Sequence, residues 1–270
     1  MRYLFWICII SCYSYCSIAQ NVAVPDKLTA DDIVYHREFT FGAKLHTRGW
    51  GVQADFVKIH SIFKKTLYSI EFMDYHSPKE MRQQSLFPNT RGLVKSFIYG
   101  KENAFFAINA SMGKIRILAE KARRSGVGIG LYYGGGLSLG LQKPYYLNMV
   151  VGYNSVTNRP IIERERYTDE NATWFLNPNM IDSGAGFQYG WNELQLFPGG
   201  QARVAVNFDW ASYHEFVKAV EVGATFNAYL PEVGSLFKGE PTGFHLMVGE
   251  QPNYFFTTLY VRAMLGRRWR

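Results

Sequence analysis

The sequence predicts an all-β chain closed into an antiparallel transmembrane β-barrel of about twelve strands, within a range of ten to fourteen. Three observations carry that expectation. Apolar residues alternate with polar or small ones over long stretches, the period of a strand and not of a helix. No stretch beyond the first residues reaches the roughly 18 consecutive apolar residues of a membrane helix. Charged residues are only 19% of the 270, beside 20 Phe, 18 Tyr and 6 Trp, whereas an ordinary soluble domain spends about 25% of its residues on charge.

The chain opens like an export signal: Arg2 is the positive start, Leu4 to Ile10 the apolar core, and Ser17-Ile18-Ala19 a small-x-small cleavage site. Residues 1–19 are therefore expected to be removed, leaving 20–36 as an N-terminal periplasmic segment and 37–270 as the barrel. Ile9-Ile10-Ser11-Cys12 loosely matches a lipobox, which would make Cys12 the acylated first residue. The short apolar core before Cys12 favours cleavage at Ala19. The three cysteines, Cys8, Cys12 and Cys16, all lie in this segment, so a chain cut at Ala19 has neither disulfides nor thiol chemistry.

The alternation then runs through the chain. Phe39, Phe41, Ala43 and Leu45 interleave with Thr40, Gly42, Lys44 and His46, and Trp50, Val52, Ala54 and Phe56 with Gly51, Gln53 and Asp55. From Val127 to Leu141 nearly every odd position is apolar and the even positions are mostly glycine. Ala185 to Trp191, Ala202 to Trp210 and Val220 to Ala228 repeat the pattern. Strands are expected near 37–47, 49–60, 66–75, 93–100, 104–113, 125–141, 145–153, 183–194, 201–210, 215–230, 242–249 and 253–267. Several are long enough to cross a bilayer at a tilt. Their polar faces carry Gly, Ser, Asn and Tyr with few charges, as a crowded lumen would, and aromatics gather near their ends, where an interfacial girdle sits. The last strand places Phe255, Leu259, Val261, Leu265 and Trp269 on one parity, resembling the signal read by the outer-membrane insertion machinery, with Arg270 as one extra residue after the aromatic.

Segments 77–92, 154–181 and 231–241 break the alternation and are expected to be loops, the first two extracellular. Counting strands from a periplasmic N-terminus turns 114–124 outward too, where Lys121, Arg123 and Arg124 could meet lipopolysaccharide phosphates or simply be solvated. The net charge of +7 suits lipid headgroups, and no concentrated Lys/Arg tract points to nucleic acid.

Tyr99-Gly100-Lys101-Glu102-Asn103, Glu120-Lys121-Ala122-Arg123-Arg124, the run from Gly136 to Leu147, Phe197-Pro198-Gly199-Gly200 and the Leu265-Gly266-Arg267-Arg268-Trp269 ending resemble an uncharacterised outer-membrane β-barrel family of Bacteroidota. The resemblance spans most of the chain. It implies fold and location, and it admits a role as an accessory subunit of an outer-membrane assembly or secretion machine.

Chemistry is harder to find. The six histidines show no close ligand spacing, so no metal or other cofactor is expected. The glycines from Gly126 to Gly140 lie on a strand and open no helix, unlike a nucleotide-binding loop; room for bulky neighbours such as Tyr132 or Arg203 explains them better. Ser61 beside His60 and Ser77 beside His76 are the nearest nucleophile–base candidates, but strand neighbours point to opposite faces. Lys44, Asp55, Glu71, Arg203, Asp209, Glu221 and Arg262 fall on the expected lumen side, and their mixed signs suggest ion pairs in place of a one-sign selectivity ring. The expected function is a non-catalytic structural or accessory subunit of an envelope protein assembly or secretion complex, with outer-membrane lipid, lipopolysaccharide and other outer-membrane proteins or lipoproteins as partners. The alternatives are a narrow passive channel for small solutes and an outer-membrane hydrolase.

Overall fold

The computed structural model describes residues 35–61, 63–86, 95–119, 126–156, 160–211, 215–230, 245–250 and 253–270. The leader with its Ala19 and Cys12 alternatives, residues 20–34, and Lys121, Arg123 and Arg124 lie outside the described residues.

In chain order the strands are β1 (Arg37–His46), β2 (Gly49–Ile59), β3 (Lys64–Tyr75), β4 (Arg82–Gln84), β5 (Ser96–Ile98), β6 (Asn103–Ala119), β7 (Gly128–Pro144), β8 (Tyr146–Tyr153), β9 (Pro160–Arg166), β10 (Ile181–Gly184), β11 (Gln195–Asp209), β12 (Phe216–Tyr229) and β13 (Phe255–Trp269). Eight of them close a barrel in the order β1-β13-β12-β11-β7-β6-β3-β2. Neighbouring strands are antiparallel, and the seam joins the two ends of the described chain, pairing Arg37 with Trp269 and His46 with Tyr260. Closure leaves no strand edge exposed, the condition for crossing hydrocarbon with strands.

The barrel thus has eight strands, not the expected twelve. The segments near 93–100, 145–153 and 183–194 do contain strands, but these pair outside the barrel: β4 with β5, and β10 with β8 and β9. In the 242–249 segment, the described residues make one isolated bridge, Lys101 to Met247. Alternation marks a half-covered strand without saying which sheet it joins.

Part of one expected loop also joins the barrel wall. β2, β6 and β11 end, and β3, β7 and β12 begin, at the rim that holds Arg37 and Trp269, here called the terminal rim. β3, β7 and β12 end, and β6, β11 and β13 begin, at the opposite, loop rim. Residues 114–119, expected in an outward loop, belong instead to β6, whose described end lies at the rim opposite the one where β3 ends.

Burial follows the two-residue period on every barrel strand, and its sense is inverted relative to a soluble protein. Leu137 is 75% exposed on the outside, whereas Arg203 and Arg262 are each 1% exposed inside. The outward side chains of β13 include Phe255, Leu259, Val261, Leu265 and Trp269, so the expected insertion-signal residues share one apolar stripe. Aromatics gather at both ends of the outward face. Trp50, Phe72, Phe106 and Trp191 follow one another near the loop rim at centroid spacings of 6.4, 5.8 and 6.2 Å, and Phe39 meets Phe56 at 4.9 Å near the terminal rim.

The loop-rim segments carry a core of their own. Phe97, Leu147, Met149, Phe175 and Ile181 are buried together beneath Tyr99, Tyr145, Tyr167 and Trp174. Side chains cross-link the parts: Ser85 Oγ donates to the Ile181 carbonyl (3.0 Å), Lys95 pairs with Asp182 (2.7 Å), and Tyr99 donates to the Leu176 carbonyl (2.9 Å).

Candidate functional site: the barrel interior

The lumen is packed in layers. Nearest the loop rim, Met73, Tyr75, Phe105, Phe197, Tyr229 and Phe256 fill the mouth together with Leu246 and Met247 from the segment preceding β13. The Phe105 and Phe256 rings stack at 5.3 Å, and Tyr75 and Tyr229 close on them at 5.2–5.9 Å. Toward the terminal rim, Val57, Leu67, Ile115, Tyr132, Ala205 and Tyr260 form a second apolar layer.

Between these layers lies a polar network with residues from all eight strands. Lys44 of β1 pairs with Glu71 of β3 and lies over the Tyr260 ring (3.8 Å). Glu71 also accepts from Gln201 of β11 (2.9 Å) and Asn109 of β6 (3.4 Å), while Ser138 of β7 donates to Asn109 (2.5 Å). Arg262 of β13 bridges Asp55 of β2 (2.6 Å) and Glu221 of β12 (3.2 Å). Tyr260 donates to Glu221 (2.6 Å), and Gln53 and Thr40 donate to Asp55 (2.6 and 3.3 Å). Two cations, Lys44 and Arg262, thus bind three carboxylates, and Arg203 of β11, buried in the same layer, brings it to formal neutrality. Charges this deeply buried persist only when paired and hydrogen-bonded.

Arg203 is the exception in that layer. Its three guanidinium nitrogens have no hydrogen-bond partner among the described residues, and the group lies over the Tyr132 ring at 4.2 Å. The Tyr132 ring in turn occupies space left by glycine. A Cβ on Gly113 would come within 2.6 Å of the ring, and one on Gly134 within 2.5 Å of its hydroxyl. The glycine-rich face of β7 therefore accommodates Tyr132, as the sequence suggested. Gly140 plays the same part for Phe105, whose ring lies 2.7 Å from the Cβ position.

Six of the seven expected lumen charges, Lys44, Asp55, Glu71, Arg203, Glu221 and Arg262, meet in this layer. Asp209 does not. It pairs with Arg268 (2.7 Å), which also holds Glu38 (2.7 Å), and Glu38 binds Lys65 (3.0 Å), making a separate cluster at the terminal rim. Sequence reasoning missed Glu38, Lys65 and Arg268 because they sit at strand ends, where parity is hardest to fix. The inward parity of Glu38 and Arg268 with Thr40 and Arg262 was the available signal.

The two serine–histidine neighbours do not assemble. His60 contacts Thr66 Oγ1 (3.0 Å) while Ser61 Oγ accepts from the Lys64 N–H (3.1 Å), an ordinary turn contact. Ser77 Oγ donates to Glu250 (3.4 Å), and His76 faces Asp74 (3.7 Å). The described residues contain no group of three or more His, Cys, Asp or Glu arranged to hold a metal. Outside the spanning strands, burial raises the Glu102 carboxyl above its ordinary value of 4.5.

No protein-family model matches the chain, and no curated protein matches it. Among solved structures it is similar to Ail, the attachment invasion locus protein of Yersinia pestis, at 8% identity over 87% of this chain and 99% of that one, with a TM-score of 0.35. A major outer membrane protein from Thermus thermophilus gives 9% identity, 86% and 99% coverage and a TM-score of 0.40. Neisserial surface protein A gives 9%, 87%, 95% and 0.31. Identity and superposition are too low for any property of these proteins to transfer, and closure rests on this chain's own strand pairing.

Proposed function

We propose that the chain is an outer-membrane β-barrel acting as a non-catalytic structural or accessory subunit of an envelope complex for protein assembly or secretion. One observation carries this reading: the barrel interior is filled by an aromatic mouth, a neutral ion-pair layer and a second apolar layer, so the molecule's usable surface lies outside the lumen. The apolar outward face suits a bilayer, and the loop-rim layer with its own core offers a rigid platform for a protein partner. The family resemblance in the sequence admits the same role.

The test is a native pull-down of a loop-tagged copy extracted gently from its own outer membrane. A stoichiometric set of larger barrels or lipoproteins is expected. Recovery only as a monomer would overturn the subunit reading. A passive channel finds no support in a lumen packed this way.

A further inference from the structure

The outward faces of six consecutive barrel strands share a pattern that the lumen does not explain. On β2 the outward series is Trp50, Val52, Ala54, Phe56 and then Lys58; on β6 it is Phe106, Ile108, Ala110, Met112 and then Lys114 and Arg116. β13 carries Arg267 between Leu265 and Trp269, and β3 reaches Lys64 after Phe72, Ile70, Tyr68 and Thr66. Arg37 of β1 and Lys218 of β12 occupy the corresponding places. Every one of these cations is exposed. Cross-strand pairing brings two pairs of them together: Arg37 lies opposite Lys58, and Lys64 opposite Arg116.

The asymmetry is nearly complete. Among the described residues of the eight barrel strands, the outward-facing carboxylate is Asp74, and it lies at the other rim. The outward cation at that rim is Lys143, which is covered by Phe187 and Trp191. β7 and β11 interrupt the belt, presenting Ile129, Leu131, Phe208 and Val206 there instead.

Resting on the reading of the chain as a bilayer-spanning barrel, we infer that this belt is a binding surface for anionic glycerophospholipid headgroups in the leaflet on the terminal-rim side. Arg37, Lys58 and Lys114 each sit one step beyond an apolar outward residue, and Lys64 and Arg116 two. Lys218 and Arg267 follow Val220 and Leu265 with an aromatic, Phe216 or Trp269, still beyond them. This mixed aromatic and basic composition suits the depth of lipid phosphates. Basic side chains at that depth attract anionic headgroups with a strength that falls off within a Debye length. Among the described residues of these six strands no outward carboxylate at this rim opposes them, and the exposed Glu215 lies just before β12. The barrel therefore carries an annulus of anionic lipid around six strands, and the gap at β7 and β11 is the sector where lipid is held least.

The test uses the full mature chain folded in phosphatidylcholine vesicles with spin-labelled tracers, measuring the motionally restricted lipid fraction. Labelled phosphatidylglycerol is expected to outcompete labelled phosphatidylcholine by about two-fold or more at low salt, and to lose that advantage in about 1 M salt, where the Debye length is ~3 Å. A folded Lys58→Gln/Lys64→Gln/Lys114→Gln/Arg116→Gln variant should lose most of the preference, while Arg164→Gln on β9 should keep it. Equal association of both tracers with the wild type would overturn the inference, as would a preference unchanged in the fourfold variant. A stronger preference for labelled lipid A, lost in that variant, would overturn the assignment to glycerophospholipid. These measurements use purified protein, so their failure leaves the subunit reading intact, and recovery of a lone monomer leaves the belt intact.

Discussion

At the scale of single residues, the interior sets the sharpest expectations. Replacing Arg262 with Met leaves Asp55 and Glu221 buried without their shared cation, and breaking a buried pair in this way costs about 3–5 kcal/mol. Urea unfolding of the folded barrel in lipid vesicles measures that loss directly. Gly113→Ala drives a methyl group into the Tyr132 ring and should cost about 1–3 kcal/mol, the usual range for overpacking. The cost should shrink when Tyr132→Leu is introduced beside it, and full additivity in that double variant would contradict the packing argument. Glu102 gives a pH signature. Its raised folded value means the folded state holds the proton longer, so its contribution to stability is present at low pH and is lost as pH rises above the ordinary 4.5. Proteolysis of the loop-rim layer across that range should therefore be less pH-dependent in Glu102→Gln. The ion pairs themselves were half legible in the sequence: parity put six charges in one compartment, but which carboxylate meets which cation depends on register between distant strands.

At the scale of elements, β13 is the most exacting strand. Its outward series runs from Phe255 to Leu265 before reaching Arg267, which puts Val261 near the middle of the apolar band. Val261→Arg should destabilise the barrel by about 2–4 kcal/mol, the cost measured for such residues at a bilayer midplane. The same substitution at the end of the band, Leu265→Arg, should cost less, and the comparison by reversible unfolding tests where the bilayer lies. Strand type was legible from alternation at almost every barrel element. Strand membership was not, because β8 alternates yet pairs with β9 and β10, outside the barrel. Strand length was also underestimated: β6 continues through Lys114, Ile115, Arg116 and Ile117, where outward cations break the apolar pattern while the backbone goes on pairing. Basic residues at the edge of a bilayer look, in sequence alone, like the start of a loop.

At the scale of the whole molecule, a filled lumen and an ordered outer layer divide the protein into a wall and a platform. Purified protein in planar bilayers is expected to give no stepwise conductance, since the aromatic mouth and the ion-pair layer both lie across the path. Regular current steps from the wild type would mean that the interior opens and would move attention from the platform to the lumen.

The seam between β1 and β13 has a consequence for time rather than for stability. Ten residue pairs join strands from opposite ends of the chain, so the ring stays open until its final segment has been made. Contacts this remote in sequence form slowly. Until they form, two unsatisfied strand edges remain as templates for wrong partners. A cell making this protein therefore has to keep it apart from its neighbours through export. Once the ring is shut, no barrel strand keeps an open edge from which it can fray.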